Sequence, residues 1–215
     1  VAGHPVWKAW CHYPVGLSGL LGLVYKVFGS SIAVAPIVNA LLGALLVGVV
    51  HRLARLVLSE NRSRIAATIA ALHPGLIAYS AVVMTEPLAA LLIAVAALVA
   101  GLSRPRWGGA LAAGAVLGLA TLVRPSTLLA LPLLAVMGGR PWWRAMALAA
   151  VASVAALVVV SPWTLRNCRV MDGCALVSTN GGWNLAIGAV SDTGRFDTLR
   201  GSDGCPNVNG QVQQD

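Results

Sequence analysis

Long apolar segments, separated by short polar connections, fill most of the chain and restrict how it can fold. Mean hydropathy is +0.79 and only 10% of the 215 residues are charged, which is too apolar for an ordinary soluble domain. Roughly 20 apolar residues span a bilayer as a helix, and flanking residues extend the shorter segments. We therefore predict an all-α polytopic membrane protein, with a bundle of about six transmembrane helices. The segments are residues 33–50, 65–83, 88–102, 108–123, 126–139 and 145–161.

The arginines of the connections lie on one side of the predicted bundle. The opposite short connections hold only Glu86 and Arg124. Short cytoplasmic loops carry the excess of Lys and Arg, so this asymmetry places both ends of the chain outside. We therefore attribute the net charge of +8 to the orientation of the chain in the membrane. The sequence contains no basic run with interleaved aromatic residues, the pattern that would indicate nucleic-acid binding. The cytoplasmic set is Arg52, Arg55, Arg62, Arg64, Arg104, Arg106, Arg140 and Arg144.

Composition divides the chain into three parts. Residues 1–31 are predicted to form an outer loop whose apolar stretch 14–28 is short, contains Lys26, and suits an interfacial helix. Residues 32–161 form the transmembrane bundle. Residues 162–215 are rich in Gly, Asn, Asp and Ser, and are predicted to begin an extracytoplasmic C-terminal domain of loops and short strands.

All four cysteines fall on the outer side of this topology. Cys11, Cys168, Cys174 and Cys205 lie outside the predicted spans, where oxidising conditions permit disulfides. We predict at least one disulfide. The spacing of Cys168 and Cys174 suits a local loop, while the sequence leaves the connectivity open and free thiols remain the alternative.

Polar residues gather at the outer ends of the predicted spans. These are His73, Glu86, Arg124, Arg166 and Asn167, with Tyr13 just before the interfacial helix. Ionisable groups at membrane depth are costly and usually functional, so they indicate a site open to the outer face.

Each of these residues also has a structural interpretation. Glu86 lies in the helix-start pattern Thr85-Glu86-Pro87, and Arg124 can extend its guanidinium to the membrane interface. Arg166 can pair with lipid headgroups. His73 precedes a proline that can bend or end a helix.

The ordered motifs resemble a known family over nearly the whole chain. They are "YPVGLSGLLGLVYKVFG", a span that contains an Asn and ends in "HRLARL", "ALHPGLIAYSAVVMTEPLAALL", "GLATLVRPSTLLALP", "SPWTLRN" and "STNGGWNLAIGA". Together they are similar to GT-C fold glycosyltransferases, in particular to bacterial relatives of dolichyl-phosphate-mannose-protein mannosyltransferases and aminoarabinose transferases.

The resemblance implies a multi-pass transferase of the bacterial cytoplasmic membrane. It would take a sugar from a polyprenyl-phosphate carrier at the outer face, among membrane lipids, and transfer it with inversion to a lipid, glycan or protein acceptor. Such chemistry needs a carboxylate base, and a divalent metal or basic groups for the leaving phosphate. In the family the catalytic acid follows the first span, so it is expected upstream of residue 1 in a chain that begins partway through that loop.

The resemblance assigns roles to the outer polar residues. Glu86 becomes a metal ligand or a hydrogen-bond partner of donor or acceptor, and is the one acid here that could take part in catalysis. Arg124 and Arg166 become phosphate contacts, which suits guanidinium groups. The residues expected to line the cavity or meet hydroxyl groups are Tyr13, His73, Asn167, Asn180 and Asn184.

Two other functions fit the same features. A transporter or flippase of an amphipathic substrate would also place polar groups among small-residue helices, although no internal repeat is visible. A non-catalytic membrane assembly subunit would account for the lack of a base in this sequence.

Overall fold

Seven α-helices and one 3₁₀ helix make up most of the chain that the structure describes. The structure is a computed structural model and describes residues 13–103, 107–132, 141–171 and 174–180. Within these residues there is no β-strand, so the predicted all-helical character is confirmed for them. The helices are α1 (Val15–Phe28), α2 (Val34–Ala54), α3 (Glu60–Ala71), α4 (Pro74–Ala81), α5 (Glu86–Leu102), α6 (Trp107–Val123), the 3₁₀ helix (Pro125–Ala130) and α7 (Trp142–Val170).

Helix α6 packs against helices on both of its sides. It packs most extensively against α7 and next against α5, while α2 packs against α5. Leu17 and Leu21 of α1 are buried in the same apolar cluster as Val123 at the end of α6. The helix predicted over residues 14–28 is therefore present as α1, and one of its faces is covered by the bundle.

Small side chains bring α6 and α7 into close contact. Gly114 and Gly118 of α6 lie against Ala152 and Ala156 of α7, which are 1% and 0% exposed. A Cβ atom built on Gly118 would lie 2.7 Å from the carbonyl oxygen of Ala156. Helices in lipid pack through such close approaches of small residues, as the sequence "GGALAAGAVLGLA" predicted.

Two helices are long and apolar enough to cross a membrane by length and composition. They are α2 and α7, with 21 and 29 residues, and only 17% and 28% of their most apolar windows are buried inside the protein. Their exposed faces carry large apolar side chains such as Leu41 and Leu157, which a soluble core helix would bury. Lipid is the environment that suits such surfaces. Helices α5 and α6 are shorter at 17 residues each, and a total of six spans stays a prediction.

The segment predicted as one span over residues 65–83 is divided into α3 and α4. Pro74 lacks a backbone N–H group, so it cannot continue α3, but it suits the first turn of α4. His73 caps the new helix, because its Nδ1 accepts a hydrogen bond of 3.3 Å from the backbone N–H of Leu76. The predicted segment 126–139 begins as the 3₁₀ helix, and residues 133–140 lie outside the described part of the chain.

The turn between α2 and α3 carries a cluster of charged side chains. The carboxylate of Glu60 pairs with Arg55 and with Arg64, whose Nε lies 2.9 Å away, and His51 Nε2 lies at 3.7 Å. The hydrogen bond from Arg64 and the nearby charges of Arg55 and His51 hold the pKa of the Glu60 carboxyl below its usual value. This end of α2 is the one that the arginine pattern assigns to the cytoplasm.

Helix α7 continues beyond the predicted boundary at residue 161. Loops and short strands were predicted from residue 162 onward, and this was wrong for residues 162–170, which are helical. Pro162 leaves the carbonyl of Val158, four residues earlier, without its usual helical donor. The hydroxyl of Ser161 donates to that carbonyl at 2.8 Å, which lets the helix continue through the proline.

Residues 174–177 fold back along the end of α7. The carbonyl of Val177 accepts a hydrogen bond of 2.9 Å from Trp163 Nε1, and the carbonyl of Leu176 accepts one of 2.7 Å from Thr164 Oγ1. A disulfide joins Cys168 to Cys174. The structure thus contains one disulfide, as predicted, and shows the local pairing among the connectivities that the sequence left open, whereas Cys11 and Cys205 lie outside the described residues.

We expect protein purified from membranes without reductant to retain the bond between Cys168 and Cys174. Both cysteines lie next to a segment that hydrogen bonds already hold against α7, so their pairing requires no rearrangement. Peptide mass mapping should recover the two peptides cross-linked before reduction and separate after it. Free thiols at both positions in oxidised material would contradict the fold-back of residues 174–177.

Candidate functional site

A cavity of about 390 Å³ opens between α4, α5 and the 3₁₀ helix. One set of its lining residues is apolar or aromatic: Leu76, Tyr79, Ala89, Ala90, Ile93 and Ala130. The polar lining residues are His73, Glu86, Arg124, Ser126 and Thr127. The cavity therefore combines an apolar wall with a charged and hydroxyl-bearing region, which is the composition expected for an amphipathic ligand.

Glu86 and Arg124 form an ion pair at this cavity although they lie 38 residues apart in sequence. Arg124 Nη1 donates to Glu86 Oε1 at 2.5 Å, and the hydroxyl of Thr85 lies 3.4 Å from Glu86 Oε2. Glu86 is the first residue of α5, and Arg124 directly follows α6. The Glu86 carboxylate bonds to side chains rather than to backbone N–H groups, so the structure shows an interhelical contact in place of a helix cap.

A buried hydroxyl group, that of Thr127, holds the backbone of Arg124. Thr127 Oγ1 donates to the Arg124 carbonyl at 2.8 Å, and the Thr127 amide donates to the same carbonyl at 3.0 Å. Thr121 Oγ1 lies 3.3 Å from Thr127 Oγ1, and both threonines are at most 5% exposed. The backbone from which the Arg124 side chain extends is therefore fixed by a turn between α6 and the 3₁₀ helix.

A hydrogen bond at His73 determines which of its ring nitrogens is an acceptor and which is a donor. Its Nδ1 accepts the cap hydrogen bond from Leu76, so this nitrogen carries no proton in that arrangement. With Nδ1 as an acceptor, Nε2 is the ring nitrogen that carries a proton and donates hydrogen bonds. The site thus offers a donor at His73, a cation at Arg124 and an anion at Glu86.

Arg166 does not line this cavity among the described residues. Its guanidinium carbon lies 4.9 Å from the centroid of the Trp163 ring, and its Nη1 donates to Asn167 Oδ1 at 3.1 Å. The sequence predicted that Glu86, Arg124 and Arg166 would share one cavity. The structure brings Glu86 and Arg124 together and places Arg166 at the end of α7, because that helix continues for another two turns.

Asn167 has a structural position rather than a free side chain for hydroxyl groups. It is fully buried, its Oδ1 accepts from Arg166, and its Nδ2 donates to the carbonyl of Ala175 at 3.1 Å. Asn180 lies nearby in sequence and its Oδ1 accepts from Ser178 at 3.0 Å. Tyr13 precedes α1, is 73% exposed, and is not among the cavity residues. Asn184 lies outside the described residues.

Asn39 is a polar residue of the site region to which the sequence reasoning assigned no role, although its span was one of the motifs that resemble the family. It lies in α2, is 0% exposed, and donates through Nδ2 to carbonyls in the connection that leads to Glu86. The available signal was a single amide in an otherwise apolar span, where polar groups are costly. Its partners lie more than 40 residues further along the chain, so the sequence alone did not reveal its role.

The described residues do not form a metal centre. No group of three or more His, Cys, Asp or Glu side chains comes together among them. Glu86 already pairs with Arg124, and a guanidinium group beside a carboxylate opposes the binding of a second cation. The predicted metal role of Glu86 therefore finds no support in its surroundings, and the positive charge at this cavity is that of Arg124.

The model of one protein family matches residues 12–165, which is more than half of the chain. It is described as dolichyl-phosphate-mannose-protein mannosyltransferase. The match includes α1 to α6, most of α7, and every residue that lines the cavity. No curated protein and no solved structure matches the chain.

Proposed function

Because this chain belongs to the dolichyl-phosphate-mannose-protein mannosyltransferase family, a GT-C-type glycosyltransferase family, we propose that its cavity binds the phosphate of a polyprenyl-phosphate-linked sugar. The family implies a membrane glycosyltransferase with a lipid-linked donor and an acceptor. The cavity between α4, α5 and the 3₁₀ helix is where the described residues best fit such a donor.

The observation that carries this proposal is that most hydrogen-bond donors of the Arg124 guanidinium group are unused among the described residues. Within the described chain the hydrogen bonds of its guanidinium group go to Glu86 alone, and the side chain is 42% exposed. A guanidinium group has five N–H donors in a planar arrangement that suits phosphate oxygens. Most of these donors therefore remain for a ligand, and the apolar wall of Leu76 and Ile93 suits the isoprenoid chain.

In the proposed reaction the acceptor oxygen attacks the anomeric carbon with inversion. The bond between that carbon and the phosphate oxygen breaks, and the electron pair leaves with the phosphate. Arg124 stabilises the negative charge that develops on the leaving group. Glu86 orients Arg124 and accepts a hydrogen bond from a sugar or acceptor hydroxyl, while His73 Nε2 donates one. The proton of the acceptor passes to a carboxylate base, as this chemistry requires.

We place the cavity at the outer face of a bacterial cytoplasmic membrane. The support is the geometry of α2, since Asn39 near its start contacts the connection before Glu86, and Arg55 just after its end belongs to the arginine cluster. Sixteen residues of helix separate these two positions, which is about 24 Å. The cavity and the cluster assigned to the cytoplasm thus lie towards opposite ends of one candidate span.

Replacing Arg124 by Ala is expected to weaken binding of farnesyl phosphate about 10- to 100-fold, because a charge-assisted hydrogen bond is lost. Affinity would be measured by calorimetry on the protein in nanodiscs. Arg62, an exposed arginine of α3, provides the matched control, and Arg62→Ala should bind like the wild type.

Farnesol, which has the same apolar chain and no phosphate, should bind much more weakly than farnesyl phosphate to the wild type. Equal affinity for the alcohol and the phosphate, or an Arg124→Ala variant with unchanged affinity, would refute the phosphate site. The assignment to the glycosyltransferase family would stand in either case, because it depends on the family match.

A further inference from the structure

The side chain of Asn39 is buried in the middle of an apolar contact between helices. It is 0% exposed, and the other buried residues of α2 are Ala35, Leu42 and Leu46. Helix α2 approaches α4 closely one turn later, at Gly43, where an added Cβ would lie 2.5 Å from Ser80 Oγ. The missing side chain at Gly43 therefore brings Asn39 within reach of the end of α4.

The Asn39 amide nitrogen is surrounded by three backbone carbonyls. Nδ2 lies 2.7 Å from the carbonyl oxygen of Val82, 3.0 Å from that of Met84 and 3.4 Å from that of Tyr79. These carbonyls belong to the last turn of α4 and to the connection before α5, where no following helical turn provides donors. Asn39 thus supplies from a neighbouring helix the donors that this connection lacks.

The oxygen of the Asn39 amide, in contrast, has no hydrogen-bond partner among the described residues. Asn39 Oδ1 is buried and accepts no hydrogen bond from any described residue. A buried acceptor without a partner costs stability, so packing alone does not account for an asparagine here. The three carbonyls around Nδ2 also define the orientation of the amide, because the opposite orientation would place four oxygen atoms together.

The connection between α4 and α5, to which Asn39 donates hydrogen bonds, lies between two residues that line the cavity. Tyr79 lines the cavity directly, and Glu86 follows Met84 by two residues. A shift in the backbone at residues 79–84 would therefore move the apolar wall and the carboxylate together. The backbone of Arg124 is held separately by Thr127, so a shift of Glu86 would change the geometry of its ion pair with Arg124.

We propose that Asn39 is a positioning residue that sets the shape of the cavity by fixing residues 79–84 from α2. It contacts neither donor nor acceptor and acts through Tyr79 and Glu86. The proposal rests on the proposed function in that it takes this cavity as the donor site.

The first test follows hydrogen exchange in the unliganded protein and does not depend on any ligand. Asn39→Leu removes both N–H donors and keeps the number and branching of the side-chain heavy atoms, and it should accelerate exchange of the peptide covering residues 79–90 at least fivefold. Thr164→Val provides the matched control, because it removes a donor of 2.7 Å to the carbonyl of Leu176 at the end of α7. That variant should leave exchange of residues 79–90 unchanged.

The second test measures affinity for farnesyl phosphate in the same variants. Asn39→Leu should weaken it at least fivefold, whereas Thr164→Val should stay within twofold of the wild type even where the two melting temperatures fall equally. Should Asn39→Leu fail to fold, Asn39→Ser, which keeps one short donor, is expected to give smaller changes in the same two measurements.

The outcomes separate this proposal from the proposed function. Unchanged exchange at residues 79–90 in both Asn39 variants would overturn the positioning role, whatever the ligand. Faster exchange with unchanged affinity would also overturn it. Faster exchange in a protein whose wild type binds no farnesyl phosphate would support the role of Asn39 in fixing the connection and would refute the phosphate-lipid ligand.

Discussion

Replacing Glu86 by Gln is expected to lower the rate of sugar transfer about 10- to 100-fold, as is typical when a hydrogen bond to a charged group is lost from a reaction site. Glutamine keeps the length of the side chain but not the negative charge that orients Arg124. Affinity for farnesyl phosphate should be retained or improved, because a carboxylate 2.5 Å from Arg124 competes with a phosphate for the same cation. Release of polyprenyl phosphate from a polyprenyl-phosphate sugar would measure the rate.

Glu60→Gln is the matched control for this experiment. Glu60 also pairs with arginines, but it lies at the turn between α2 and α3, away from the cavity. Its replacement should leave transfer within twofold of the wild type. A normal rate in Glu86→Gln would mean that the ion pair with Arg124 serves only to connect α5 and α6. Equal losses in both variants would indicate a general effect on folding.

Replacing Gly114 by Val is expected to destabilise the protein by about 3 kcal/mol, at the upper end of the range for overpacked cores. A Cβ atom there would lie 2.6 Å from the Ala152 Cα, and backbone cannot move aside as a flexible side chain can. Helices α6 and α7, which have the most extensive contact in the bundle, would have to separate. Thermal unfolding in detergent, followed by circular dichroism, would measure the loss.

Gly108→Val makes the same change in the first turn of α6, where no atom of the described residues lies within 4 Å of an added Cβ. Its midpoint of unfolding should stay close to that of the wild type. If the two variants unfold alike, the helical propensity of valine rather than the contact with α7 would explain the loss at Gly114.

The regular part of this fold could be predicted from the sequence because lipid imposes a simple rule on it. Long apolar segments must be helical, since no water satisfies the backbone in a bilayer, and the predicted segments at 88–102 and 108–123 agree closely with α5 and α6. Glu86 and Arg124 were found by the same rule, because charged residues at the ends of apolar segments are conspicuous.

The remainder depends on contacts that a local pattern does not contain. Pro74 begins a new helix after α3 has ended, whereas Pro162 lies inside α7, where the hydroxyl of Ser161 satisfies the carbonyl that the proline leaves without a donor. Arg166 therefore lies on a helix, where the sequence predicted a loop. Asn39 could not be assigned because its partners are carbonyl groups, which every residue has.

The uninterrupted course of α7 through Pro162 also gives the helix a measurable length across the bilayer. Trp143, 61% exposed near its start, and Trp163 are 20 residues apart, or about 30 Å of helix, which is the thickness of the hydrocarbon core. Tryptophan favours the boundary between hydrocarbon and headgroups, so we expect the two rings to lie at the two membrane surfaces. The turns after Trp163 would then extend beyond the hydrocarbon. Their hydrogen bonds and the disulfide would hold residues 174–177 at the depth of the headgroups.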